Sequence, residues 1–264
     1  MSNITITHVD TGAIHAEVLR TKRISPNFVR VTLGGDDLAR FEYRGFDQWF
    51  RLALPITDAT RFDNLPGTFD TRGYVRFLML PKSTRPVIRN YTVRAYRPES
   101  NELDIDFVVH GTDGIAGPWS VATRPGDRVA FLDQGCGWKT VPADYVLLVA
   151  DETGLPAVAG ILRDLPRDAV GHAVIELHDL ADQQQTGAPD GVTVHWVVRE
   201  SGAKPGQLAL ETSTGLALPE GTPYVFVVGE SALATGLRRW AVTERGIPKT
   251  HVTFCGYWKQ GHGH

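Results

Sequence analysis

The stretch YVLLVADETGLPAVAGIL, residues 145–162, decides the fold. Tyr145 to Ala150 form an unbroken apolar run, the pattern of a strand buried on both faces of a parallel sheet. Leu155, Val158, Ile161 and Leu162, with Leu165 beyond, then recur at helical spacing. A strand running directly into a helix predicts a βαβ unit. Downstream the same pattern continues. HAVIELHD (172–179), VTVHWVVR (192–199), YVFVVGE (224–230) and HVTFCGYW (251–258) read as strands. SALATGLRRWAVTERG (231–246) reads as a helix stopped by Gly246, with Pro248 beyond. In open α/β sheets, ligands bind outside the carboxyl ends of the strands. The strands ending at Asp151 and at Gly229-Glu230 point there, and Thr153 and Ser231 are the cap candidates of the helices that follow.

Upstream the pattern changes. NFVRVTLGG (27–35), QWFRLALP (48–55), RNYTVRAYRP (89–98), ELDIDFVVH (102–110) and DRVAFLDQ (127–134) are short strands separated by turn residues. That rhythm predicts an antiparallel barrel or sandwich. Residues 56–86 break it with Pro66, Gly67, Gly73, Pro81 and Pro86, so a long loop is expected there, with one short strand around Tyr74–Met79. The boundary falls in KTVPAD (139–144), giving domains 1–140 and 141–264.

Size and composition fit this plan. At ~100–200 residues per domain, 264 residues make one large or two modest domains. A net charge of −3 with no basic stripe argues against nucleic-acid binding. No run of ~18 apolar residues could span a membrane, and MSNITITHVD lacks the features of a signal peptide. The expectation is a cytoplasmic protein with no membrane partner. Cys136 and Cys255 lack CxxC spacing, so neither a disulfide framework nor a zinc site is expected. The GHGH tail (261–264) reads as a frayed terminus, and no metal site is expected.

Familiar nucleotide motifs are absent. There is no GxxxxGK[ST], and no GxGxxG follows a strand. GESAL (229–233) fails as a hydrolase elbow because Leu233 stands where glycine is needed. Two other stretches carry chemistry. In RNYTVR, strand alternation puts Arg89 and Tyr91 on one face and Asn90 and Thr92 on the other. Arg89 can fork onto a phosphate, Tyr91 offers a flat face to an isoalloxazine, and Thr92 offers a hydroxyl, provided twist or a bulge brings Tyr91 and Thr92 to one edge. VVHGTDGIAGPWS (108–120) is a Gly-rich turn opening a helix, with Pro118 suited to its first turn, and can present N–H groups to a pyrophosphate.

The order of barrel then α/β unit, RNYTVR, VVHG…GPWS, DETGLPAVAGIL and the closing CGYWKQG (255–261) together resemble the siderophore-interacting protein family, over roughly residues 14–261. FDQWFRLALP (46–55) is similar to its basic strand ending in proline. The resemblance implies an N-terminal antiparallel six-stranded flavin-binding β-barrel, followed by a C-terminal open, mainly parallel α/β domain for a pyridine nucleotide. It implies a reductase that passes electrons from NADH or NADPH through FAD to the ferric iron of a siderophore. The flavin site it implies is Arg89, Asn90, Tyr91, Thr92, Val108, His110, Gly114, Ile115, Ala116, Gly117, Trp119 and Ser120, with Trp258 near the ring. The nucleotide site is Asp151, Thr153, Gly154, Leu155, Pro156, Glu230 and Ser231. Arg51, Arg94, Arg97 and Lys259 are candidates for steering an anionic ferric siderophore. No acid–base side chain is required, because the flavin carries the chemistry. Glu176, Asp179 and Asp182 near the end of a strand favour NADH over NADPH. A ferredoxin is the alternative electron donor, and a monomer is expected. The rivals are another flavin or quinone reductase on the same scaffold, and a non-enzymatic flavin or siderophore binder.

Overall fold

The computed structural model describes residues 2–4, 12–63, 65–68, 70–109 and 114–261. They form two compact units. The first comprises residues 12–24 and 28–136, and the second residues 137–261 with 2–4 and 25–27.

The first unit contains β1 (Ile14–Ser25), β2 (Phe28–Gly34), β3 (Trp49–Leu54), α1 (Thr71–Leu78), β4 (Val87–Thr92), β5 (Ala95–Arg97), β6 (Glu102–Val108), α2 (Ala116–Ala122) and β7 (Arg128–Asp133). The sheet order is β4-β3-β7-β1-β2-β6-β5. One continuous stretch, residues 87–97, supplies both ends. It pairs with β3 from Val87 to Thr92. Val93 N–H then donates to Gln48 O at 2.8 Å and Arg94 N–H to Asp104 O at 2.9 Å. From Ala95 it pairs with β6. The antiparallel sheet thus closes on itself, and the six expected strands appear as seven because this one is interrupted at Val93–Arg94.

Alternation builds the core. On β6, Leu103, Ile105 and Phe107 are buried against Ile14, Val31, Leu33, Phe50, Leu52 and Phe131. On the opposite face Glu102, Asp104 and Asp106 meet arginines. Arg30 grips Asp106 at 2.6 and 2.8 Å. Arg97 grips Asp104 at 2.7 and 2.8 Å and Glu102 at 3.0 Å. Arg20 closes on Glu102 at 2.7 and 2.6 Å.

The expected strand around Tyr74–Met79 is instead the helix α1. Asp70 accepts the Gly73 N–H at 2.7 Å as its N-cap, and Gly73 and Phe77, four residues apart, form its buried side.

The second unit contains β8 (Tyr145–Ala150), α3 (Leu155–Asp164), β9 (Val170–Leu177), β10 (Gly191–Val198), α4 (Gln207–Gly215), β11 (Pro223–Glu230), α5 (Ser231–Arg239) and β12 (Val252–Trp258). All neighbours are parallel, in the order β10-β9-β8-β11-β12. From β8 the chain winds outward to β9 and β10, then returns to β11 and β12. The reversal puts a crevice between the carboxyl ends of β8 and β11. Leu147, Val149, Val174, Val225 and Val227 pack against Ala209 of α4 and Leu233 and Leu237 of α5. No helix among the described residues is long and apolar enough to cross a membrane.

Candidate functional site

Two clusters carry the predicted residues, one in each unit. In the barrel, the β3–β4 register runs from Trp49↔Thr92 to Leu54↔Val87 without a shift. No bulge interrupts it, so Tyr91 and Thr92 stay on opposite faces of the strand. Tyr91 packs against the core, its ring centroid 4.4 Å from that of Phe107. Trp119 of α2 stands 5.5 Å from Phe107 on the same side. Burial pushes the Tyr91 phenol well above the usual tyrosine range. Thr92 is buried and Asn90 exposed.

Arg89 is half-buried. Its Nη1 donates to the carbonyl of Ile88 at 2.8 Å, and no carboxylate among the described residues pairs with it. The next two arginines of the stretch differ. Arg94 lies 3.4 Å from Asp106, and Arg97 is clamped by Asp104 and Glu102. Their charges are matched within the barrel wall, although both were candidates for steering a substrate.

Val108 ends β6, and His110 lies outside the described residues. Gly114 has φ +84°, a conformation that suits glycine. α2 then begins with Ile115 at the N-cap position and no side-chain cap. The backbone donors of Ala116 and Gly117 are therefore not taken by a capping side chain. Ser120 behaves otherwise than expected. Its hydroxyl donates to the Gly117 carbonyl at 2.7 Å inside α2, so it serves the helix.

On the outer face of β3 and β4, Arg51 pairs in register with Asn90. These two residues, with Ile88 and with Tyr74 and Phe77 of α1, line a cavity of about 450 Å³. Burial pulls the Arg51 guanidinium below the usual arginine range. The α1 side chains were hidden by the loop expectation. The signal available was Asp70 three residues before Gly73, followed by Tyr74, Phe77 and Leu78 at helical spacing.

In the second unit, Asp151 is fully buried at the end of β8. Its Oδ1 accepts Thr153 N–H at 2.9 Å and Thr153 Oγ1 at 2.5 Å. Its Oδ2 accepts Glu230 N–H at 2.6 Å and the Trp258 indole Nε1 at 2.9 Å. Ser231 Oγ donates to Trp258 O at 2.7 Å, and Gln260 N–H donates to Glu230 Oε1 at 3.2 Å. The Glu230 carboxylate also accepts the Ala232 N–H. Asp151 thus caps the short 3-10 turn Glu152–Gly154 that leads into α3, whose own N-cap position is Gly154, and Glu230 caps α5, so neither Thr153 nor Ser231 is a cap. Asp151, Glu230 and Ser231, expected at the nucleotide site, tie together the ends of β8, β11 and β12. Gly154, Leu155 and Pro156 are buried packing residues, and a Cβ on Gly154 would stand 2.6 Å from Val228 Cγ2. Lys259 is exposed.

Sequence reading missed Arg199, which is 9% exposed at the end of β10 and bridges Glu152 at 2.6 Å through both Nη atoms and Glu176 at 3.4 Å. Glu176 also accepts the N–H groups of Gly206 and Ala209 at the start of α4, at 2.7 and 3.0 Å. Asp179 caps the turn at Ala181, and Asp182 accepts Ser25 Oγ and Asn27. All three acids that favoured NADH thus accept hydrogen bonds within the fold.

The residues fit FAD in the first unit: a half-buried cation that no carboxylate among the described residues pairs with, an aromatic ring beside it on the strand, and a helix start with no side-chain cap among them. Comparisons with known proteins agree with this geometry. Residues 17–137 match the family model of the siderophore-interacting FAD-binding domain, and residues 143–261 that of the siderophore-interacting protein. The ferric vibriobactin reductase ViuB of Vibrio cholerae is 31% identical over 93% of this chain and 89% of its own. The NADPH-dependent ferric-chelate reductase of Escherichia coli is 32% identical over 91% of each. The crystal structure of a siderophore utilization protein from T. fusca superimposes with a TM-score of 0.81 at 32% identity, covering 98% of this chain and 97% of that one. The chain belongs to the siderophore-interacting protein family.

Proposed function

We propose that the chain is an FAD-dependent oxidoreductase that passes electrons from NAD(P)H to the ferric iron of a siderophore, releasing Fe(II). The observation that carries this reading is Arg89. In a stretch whose later arginines are matched by carboxylates, this half-buried cation has none among the described residues. A flavin phosphate supplies the missing charge in the same strand that offers the Tyr91 ring. When bound, FAD converts a hydride donor's electron pair into single electrons.

The chain's own residues bind and orient. Arg89 and the donors of Ala116 and Gly117 hold the phosphates, and Tyr91, braced by Phe107, sets the plane of the ring. Arg51, at the cavity beneath α1, and exposed Lys259 attract an anionic ferric chelate. The reaction needs no proton from a side chain, because iron is the electron acceptor and its chelator binds Fe(II) far more weakly. We take the working unit to be the monomer. Neither Cys136 nor Cys255 forms a disulfide, which suits a reducing cytoplasm.

The test is an anaerobic absorption series on the purified protein. Flavin bands near ~450 nm should bleach with NADH or NADPH and return on adding a ferric siderophore, with Fe(II) captured by a ferrous chelator. Bleaching by a reduced ferredoxin alone would make that protein the donor. A protein that cannot be loaded with FAD would overturn the reading.

A further inference from the structure

Between Thr71 and Pro98 the chain carries seven basic residues and no acidic one, although its net charge is −3. Arg94 and Arg97 are matched by carboxylates of β6, and Arg89 belongs to the flavin strand. The other four, Arg72, Arg76, Lys82 and Arg85, lie on α1 and in the turn that follows it. Arg72, Arg76 and Lys82 are exposed, and no ion pair among the described residues engages them. Arg85 Nη1 donates to the Leu78 carbonyl at 2.9 Å, and its guanidinium stands 5.4 Å from the centroid of the Phe77 ring. The fourth charge is thereby held at the last turn of the helix.

The same helix is apolar on the side turned away from the barrel. Gly73 and Phe77 are its buried residues, and Phe77 packs against Leu132 and Ile88. Successive side chains of a helix stand about 100° apart. Val75 and Met79 therefore come out opposite the buried side, with Tyr74 and Leu78 beside them and Arg72 and Arg76 along the other flank. All four apolar side chains are exposed: Tyr74 by 52%, Val75 by 45%, Leu78 by 49% and Met79 by 77%. A surface helix ordinarily carries polar residues there.

We propose that the outer face of α1 lies on an anionic lipid bilayer, with Val75, Leu78 and Met79 at the acyl boundary and Arg72, Arg76 and Lys82 among the lipid phosphates. Crossing a membrane needs a long apolar helix, which the described residues lack, whereas lying on one needs only an apolar face flanked by cations. The size of the patch favours lipid over a protein partner. A stable protein interface takes about 800 Å² from each side in a matched shape, and four side chains on two helical turns fall well short of that. A bilayer demands no matched shape, and its negative surface attracts each cation that reaches it. With so few apolar groups, lipid charge decides the binding, and adsorption is reversible. The surface is independent of the reductase reading.

The test uses the full chain and vesicles of pure phosphatidylcholine, or of phosphatidylcholine mixed equally with phosphatidylglycerol. The wild type should sediment with the mixed vesicles at low salt, come off as salt is raised, and stay in solution with phosphatidylcholine alone. Arg72→Gln/Arg76→Gln should lower the partition coefficient about thirtyfold, roughly fivefold for each charge brought to the headgroups. Met79→Ser should lower it about tenfold. In Met79→Trp, the emission added over the wild type should shift to the blue with mixed vesicles only, which places α1 itself at the lipid. A wild type that ignores the mixed vesicles, or that binds both kinds equally, overturns the proposal. So does wild-type binding by the double arginine variant. Dimers that form without lipid and vanish in Met79→Ser would make a second copy the occupant of this face. A raised KM for a soluble ferric chelate in the double arginine variant, without vesicle binding by the wild type, would assign the charges to the substrate. Either result overturns the proposal.

Discussion

The ring of Tyr91 rests on the ring of Phe107, with centroids 4.4 Å apart and planes tilted by 43°. Phe107 is fully buried, so the tyrosine of the flavin motif is also a core residue. Removing it should do two things at once. Tyr91→Ala should lose FAD and lower barrel stability by about 3 kcal/mol, the usual cost of truncating a large core aromatic. Tyr91→Phe should keep both, because the hydroxyl is neutral and the ring makes the contact. The ratio of flavin to protein absorbance and a urea titration check this. Full flavin content in Tyr91→Ala would remove Tyr91 from the site.

The basic residues near the motif should separate into two kinds. Arg97→Ala takes from the buried Asp104 its two guanidinium hydrogen bonds and leaves it the Thr32 hydroxyl, at 2.7 Å, with the Arg30 charge nearby. Stability should fall by about 2 kcal/mol, less than for a fully buried pair because Arg97 is 36% exposed. Its KM for a ferric siderophore should not change. Arg51→Ala should do the reverse, raising KM for an anionic chelate and flattening its salt dependence while leaving the urea midpoint near that of the wild type. A KM effect at Arg97 with unchanged stability would reverse this assignment.

These contrasts mark what the sequence could show. The parallel half was legible because an apolar run such as Tyr145–Ala150 has few alternatives to a buried strand. The barrel strands were legible from period-two alternation, as in Leu103, Ile105 and Phe107. β1 was not, since Arg20, Lys22 and Arg23 fall where the strand reaches solvent and blur the alternation. α4 was hidden by its Ser and Thr content: only Ala209 and Ser213 are buried, and its start is held by Glu176, thirty residues away for Gly206. The flavin motif was visible as residue types. Which arginines of 89–97 are already matched depends on carboxylates that pairing with β6 brings alongside, and no local pattern reports that.

Gly229 should resist substitution for a reason that lies in Asp151. Its φ is +126°, and a Cβ built there would come within 2.6 Å of Asp151 Cγ. Gly229→Ala therefore strains the backbone and pushes against a carboxylate that cannot retreat without releasing its donors. A loss of about 2–3 kcal/mol is expected in a urea titration. Wild-type stability in this variant would mean that the end of β11 relaxes freely.

Acid should weaken the barrel in a defined window. Hydrogen bonds from Arg20 hold Glu102 down to about 2, and those from Arg40 hold Asp37 down to about 2. For a carboxyl depressed by folding, the stabilisation is present above its unfolded pKa and is lost as pH falls through the folded one. Stability should therefore decline from roughly pH 4.5 toward pH 2 as these groups take protons. Asp151 has the opposite sign: raised to about 6, its protonation favours the folded state, and its stabilising proton is lost as pH rises from roughly 4 to 6. The two signs can be told apart with urea titrations at pH 2, 3, 4, 5 and 6. Glu102→Gln should flatten the curve below pH 4.5 and leave the pH 4–6 region unchanged, whereas Asp151→Asn should alter only the upper region. A Glu102→Gln curve parallel to the wild type below pH 4.5 would show that the Arg20–Glu102–Arg97 cluster is screened at the surface and adds nothing to acid stability.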